Sequence, residues 1–151
     1  MCPSAQPDME GARIIGVVSG EPDSPQIAYL ERGVEVDLSV TSQLGELAPT
    51  EVFRFAAKCE TSRCCHFDGS RCALAGRIVE QLPEVVDLLP RCQIRPTCRW
   101  FAEQGGVACR RCPQIVTMIP RGDDALNRAA RPGPVFKENF FDSPEGDHVH
   151  R

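Results

Sequence analysis

The chain has 151 residues, 42% of them hydrophobic and 25% charged, with a formal net charge of −4 and nine cysteines. That length suits one ordinary domain with a tail, and it buries roughly 68–70% of the surface the unfolded chain exposes, so stability need not rest wholly on metal. The mild negative charge gives no general reason to expect nucleic acid or an anionic membrane, and no stretch is long and apolar enough to cross a bilayer.

The first residues, Met1 to Asp8, lack the positive charge and apolar core of a secretory signal. The expected location is therefore the cytoplasm, where thiols stay reduced and close-set cysteines more often bind metal than pair as disulfides.

The expected fold class is α+β. A small N-terminal β-hairpin region precedes a mainly helical, cysteine-ligated metal-binding region, and an extended C-terminal tail follows. In chain order, Arg13–Val18 is a β-branched run that ends at Ser19-Gly20. Gln26–Leu30 and Val34–Leu38 flank Glu31-Arg32-Gly33, a loop that suits a hairpin. Thr41–Leu47 reads as one or two helical turns. Glu51–Lys58 reads as a helix with Thr50 as N-cap and Val52, Phe53, Phe55 and Ala56 as its apolar side.

Further on, Ser70 is positioned to cap a helix running to Leu82, with Leu74, Ile78 and Leu82 at four-residue spacing. Glu84–Leu89, bracketed by Pro83 and Pro90, predicts a short helix or turn. Thr97 would cap Cys98–Gln104, stopped by Gly105-Gly106. Val107–Met118 would form a last short helix beginning around Cys109.

Composition and charge divide the chain at the same places. Residues 1–57 form an acidic β-containing region with three basic and nine acidic residues. The Cys-rich region spans 58–119, and nine basic residues face six acidic ones over 58–112. Residues 120–151 are rich in Gly, Pro, Arg and Asp, as extended or disordered tails are. Within that tail Val135–Phe141 is an apolar patch, read as docking on its own domain before a partner.

Cys2 stands apart. The other eight cysteines are Cys59, Cys64, Cys65, Cys72, Cys92, Cys98, Cys109 and Cys112, in the pattern C-x4-C-C-x6-C and then C-x5-C-x10-C-x2-C. Scattered core thiols would not crowd one segment in this way. A structural zinc ion needs four ligands at ~2.3 Å, usually from two short knuckles. Cys109-Arg-Arg-Cys112 is one such knuckle, but the gaps of five, six and ten residues are awkward for a compact finger.

An iron–sulfur cluster is larger, so its thiolates stand further apart, on separate turns. The favoured cofactor is accordingly one or two [4Fe–4S] clusters, with zinc as the alternative. The simplest division gives one site Cys59, Cys64, Cys65 and Cys72, and the other Cys92, Cys98, Cys109 and Cys112. Adjacent Cys64 and Cys65 point different ways in most backbones, so one of them is expected to be a bystander. A single cluster drawing on both halves is the other arrangement. His66 reads as a satisfied or surface histidine ahead of a ligand. Arg91, Arg95, Arg99, Arg110 and Arg111 crowd the second group, where cations would offset anionic thiolates.

Ala108-Cys-Arg-Arg-Cys-Pro113 resembles locally the C-x2-C-P element of WhiB-like iron–sulfur regulators. The further cysteine and the Gly-Val-Trp-Gly-Gly turn of that family are absent here, so the resemblance assigns no family. No Gly-rich phosphate loop, H-E-x-x-H or serine elbow appears, and the balance leans away from an enzyme. The expected partner is a protein, either a redox partner or a larger enzyme. A zinc-stabilised module meeting nucleic acid or an acidic protein through its arginines is the alternative.

Overall fold

The computed structural model describes residues 1–21, 23–117 and 124–130. Four strands, β1 (Cys2–Ala5), β2 (Arg13–Glu21), β3 (Ser24–Glu35) and β4 (Phe53–Ala57), form one antiparallel sheet in the order β1-β4-β2-β3. Short helices accompany it: α1 (Leu38–Ser42), α2 (Pro49–Val52), α3 (Ala73–Gln81), α4 (Arg99–Gln104), α5 (Gly106–Cys109) and α6 (Asp124–Ala130). This is an α+β arrangement. Among the described residues no helix is long and apolar enough to cross a membrane.

Both faces of the sheet are covered, because neighbouring residues along a strand point to opposite sides. Ile14 packs with Ala5, Phe55 and Ala57 on one face. Ile15 and Ala56 face the helices on the other, against Ile78, Trp100, Ala108, Ile115 and Leu126. That second face carries the larger core and most of the cysteines.

Several expectations change. The Arg13–Val18 run is a strand, but its hairpin partner comes directly after it: Glu21 pairs with Ser24, and β3 then runs unbroken to Glu35. The expected loop Glu31-Arg32-Gly33 is instead a bulge within β3. Between the pairs Gly16↔Tyr29 and Ile14↔Val34, Leu30–Gly33 oppose Ile15 alone. Gln93 supports the bulge, accepting from the Gly33 N–H and donating to Leu30 O at 3.4 Å.

The expected helix Glu51–Lys58 is one helical turn followed by strand β4. Alternation wins over helical spacing here: Phe55 and Ala57 enter one core, while Ala56 enters the other. Ala48, not Thr50, precedes the turn, and its N–H donates to the Glu51 carboxylate at 2.6 Å. Strand β1, which hydropathy does not announce, pairs with β4 in the register Cys2↔Ala57.

Helical turns do follow Asp37, whose carboxylate accepts from Ser39 N and Val40 N, but they end at Ser42, overlapping only the first two residues of the expected stretch. The Ser70–Leu82 helix begins later, at Ala73 with Cys72 as N-cap, and α4 is preceded by Cys98 and not by Thr97. Gly105, at φ 68°, ends α4 as expected. Glu84–Leu89 is not helical. It lies alongside α5, with Val85 N–H donating to Arg110 O at 3.0 Å.

The expected Val107–Met118 helix is divided into α5 and a 3-10 turn at Cys112–Gln114. In the region expected to be an extended tail, α6 is helical and packs on α3, with Leu126 and Ala129 buried and Ala129 O accepting from Arg77 Nε at 2.8 Å. Val135–Phe141 lies outside the described residues.

Candidate metal centre

The cysteines gather around two hollows on the helical side of the sheet. The first, of about 340 Å³, is lined by Cys2, Cys59, Cys64 and Cys72 together with Arg99 and Trp100. The second, of about 20 Å³, is lined by Cys92, Cys98, Cys109 and Cys112 with Tyr29 and Arg95. Trp100 borders both hollows and is 2% exposed. Strand β1 borders both as well, with Cys2 and Ser4 lining the first and Pro3 the second. All nine cysteines are free.

Local turns aim the first set. Cys59 follows the end of β4, and a 3-10 turn at Thr61–Arg63 leads into Cys64. Thr61 is held at φ 49°, a left-handed conformation unfavourable for a β-branched residue, and the bend brings both thiols to the same hollow. The Asp68 carboxylate then accepts from Ser70 N at 2.9 Å and Arg71 N at 2.7 Å. That turn pairs Phe67 with Cys72 and starts α3. Those backbone N–H donors hold the Asp68 carboxyl below its usual range.

Glu103 braces the arrangement from α4, accepting Cys72 N–H at 2.9 Å and Arg99 Nε at 2.8 Å. Arg99 in turn points Nη1 at Cys59 Sγ, 3.7 Å away.

In the second set Cys98 precedes α4, Cys109 ends α5 and Cys112 opens the Cys112–Gln114 turn, while Cys92 lies in the irregular segment before them. Tyr29 Oη donates to Cys112 Sγ at 3.0 Å, and Arg54 Nη2 donates to the same sulfur at 3.5 Å. Burial, and then the adjacent Cys112, push the Tyr29 phenol far above its ordinary range, so it remains a donor. Arg95 carries a buried Nε with no hydrogen-bond partner among the described residues, on a side chain that borders this hollow.

Arg54 lies between the sets. It is completely buried, donates to Pro3 O and Ile115 O, and stacks over Trp100 with 5.6 Å from Cζ to the ring centroid. Among the described residues no carboxylate pairs with it. Burial raises the thiols of Cys72, Cys92 and Cys98, and pushes Cys2 up to about 11 against some relief from the Ser4 backbone.

The structure thus brings Cys92, Cys98, Cys109 and Cys112 together, and Cys59, Cys64 and Cys72 with Cys2. Cys65 is exposed and borders neither hollow. The Nδ1 of His66 lies 3.0 Å from Arg77 Nη2, and burial followed by the Arg77 charge lowers its pKa, so the ring is a neutral acceptor there. Of the arginines expected near the second group, Arg95 and Arg99 border thiol hollows. Arg110 and Arg111 pair with Glu84 at 3.0 and 3.2 Å.

Arg54 and Tyr29 went unnoticed in the sequence, and Cys2 was set apart from the other cysteines. Arg54 had a readable signal, being the only charge in the apolar run Val52–Ala57. Tyr29 and Cys2 had none, since only strand register brings them here.

Among the described residues, no group of three or more His, Cys, Asp or Glu side chains is arranged to hold a metal ion directly. The thiols stand around their hollows instead. Comparison with protein-family models, with curated proteins and with solved structures returned no match to this chain.

Proposed function

We propose that this is a small cytoplasmic iron–sulfur protein that works in electron transfer or redox sensing, or as an accessory to a larger enzyme. Arg54 is the observation that carries the reading. A buried guanidinium without a carboxylate is expensive, and an arginine side chain does not shed its charge in a protein. The anions within its reach are the cysteines, once they are thiolates. Ligation to iron would make them so, and their negative charge would compensate the cation.

The unpartnered Nε of Arg95 supports the same reading, because a buried donor beside a thiolate-bound group would gain an acceptor. The room in the first hollow exceeds what one ion fills. Cys92, Cys98, Cys109 and Cys112 would hold a group in the second hollow, and Cys59, Cys64 and Cys72 in the first. A cluster there supplies one-electron chemistry. The chain's own contribution is to orient thiolates, donate hydrogen bonds from Tyr29 and Arg54, and shield the sites with Trp100.

One observation favours a second reading, zinc in the second hollow. Its volume of about 20 Å³ is close to what one water-sized body occupies. The protein would then be a zinc-stabilised interaction module. Nucleic acid has the lesser claim as its partner, since Arg110 and Arg111 are engaged by Glu84.

Iron, zinc and acid-labile sulfide, measured on protein purified without oxygen, separate these readings. Equal iron and sulfide with broad visible absorbance supports the cluster. Colourless protein with stoichiometric zinc would replace it by the second reading.

A further inference from the structure

Resting on the iron–sulfur reading of the first hollow, we infer that Cys2 supplies its fourth thiolate, beside Cys59, Cys64 and Cys72, and that Cys65 does not. Sequence spacing pairs Cys65 with Cys64 and leaves Cys2 alone. The fold reverses this. The register Cys2↔Ala57 places Cys2 across the sheet from the end of β4, two positions before Cys59. Cys2 lines the hollow that Cys59, Cys64 and Cys72 share, while its neighbour Pro3 lines the other, at the point where the pairing of β1 with β4 is irregular.

The strand is fixed where it needs to be. The Met1 amino group donates to Thr97 O, Arg99 N donates to Met1 O at 2.9 Å, and Arg54 Nε donates to Pro3 O. Cys2 is therefore tied on both sides, by Thr97 and Arg99 before it and Arg54 after it, and Arg99 also lines the first hollow. Cys65 is exposed and lines neither hollow, although its thiol lies beside that of Cys64. Four thiolates from three separate parts of the fold surround a hollow of about 340 Å³, as a cluster requires and a short knuckle does not.

The test uses the full chain with a C-terminal tag, purified without oxygen, as wild type and as Cys2→Ala, Cys65→Ala and Cys98→Ala. Iron, zinc and sulfide are measured per chain, with circular dichroism as the check on folding. The expected result is that Cys2→Ala and Cys98→Ala each lose half of the iron and sulfide, whereas Cys65→Ala keeps the wild-type content. Cys2→Ala at wild-type content, or Cys65→Ala losing as much, overturns the inference while leaving the cluster reading intact.

Wild-type protein without iron or sulfide overturns the cluster reading instead. In that event zinc lost in Cys2→Ala still upholds Cys2 as a ligand, and zinc unchanged, or no metal at all, overturns it. Should Cys2→Ala fail to fold, alkylation of wild-type protein before and after chelator stripping replaces it. Cys2 labelled only after stripping, with Cys65 labelled in both states, upholds the assignment. Equal labelling of Cys2 in both states overturns it.

Discussion

Removing the Tyr29 hydroxyl tests the second hollow with little disturbance to the fold. Tyr29→Phe keeps the ring in β3, opposite Gly16, and deletes one donor to Cys112 Sγ at 3.0 Å. A hydrogen bond to a charged group contributes about 1.5–3 kcal/mol, but a cluster thiolate is anionic in both oxidation states, so only the difference between states moves the potential. Taking that difference as about 0.5–1 kcal/mol, the one-electron relation of 59 mV per tenfold gives a fall of roughly 20–45 mV. The direction is downward because the lost donor favoured the more negative, reduced state. An anaerobic spectroelectrochemical titration reads the shift, with iron content as control. An unchanged or raised potential at wild-type iron content would refute the assignment of Tyr29 as a donor to a ligand.

Three further outcomes are expected. Arg54→Met orphans Pro3 O and Ile115 O at about 1–3 kcal/mol each, partly offset by removing a buried cation, and in loaded protein it also removes the compensating charge. Its denaturation midpoint should therefore fall more when loaded than when metal-free, and equal losses would count against the charge argument. In metal-free protein, burial holds the Cys2 thiol at about 11 against its ordinary 9.0, so the folded state keeps a proton that the unfolded state sheds. That stability is fully present below pH ~9 and is lost as pH rises toward ~11, by up to about 3 kcal/mol, whereas loaded protein, already thiolate, should show no such decline. Gly16→Ala would set a Cβ 2.5 Å from Ile27 Cγ2 and 3.0 Å from Ala28 O within the β2–β3 pairing, costing about 1–3 kcal/mol in a urea titration; an unshifted midpoint would contradict the packing.

Legibility in the sequence followed distance along the chain. The helices α3 and α4 and the stop at Gly105 were readable, because caps and apolar spacing act over a few residues. The grouping of Cys92, Cys98, Cys109 and Cys112 was readable for the same reason, its thiols lying on consecutive turns. Strand β4 was misread because Phe53, Phe55 and Ala56 satisfy a helical face nearly as well as alternation does, and only burial on both sides of the sheet decides between them. The loop at Glu31–Gly33 was misread because its bulge is satisfied by Gln93, a residue from another part of the fold. Cys2 was set aside because its neighbours in space come from register, which pairing alone reveals.

The place of β1 has a consequence for how the protein matures. Its contacts with β4, Thr97 and Arg99 are all distant in sequence, and long loops close slowly because entropy is lost before contacts form. The second thiol set spans only residues 92–112, although Pro3, Ile15 and Tyr29 of the sheet complete its hollow. The first needs the sheet to be complete and its edge strand seated. The thiols of the first hollow are thus joined over the longer distances along the chain, and a cluster arriving before β1 docks would meet three thiols and an open side there.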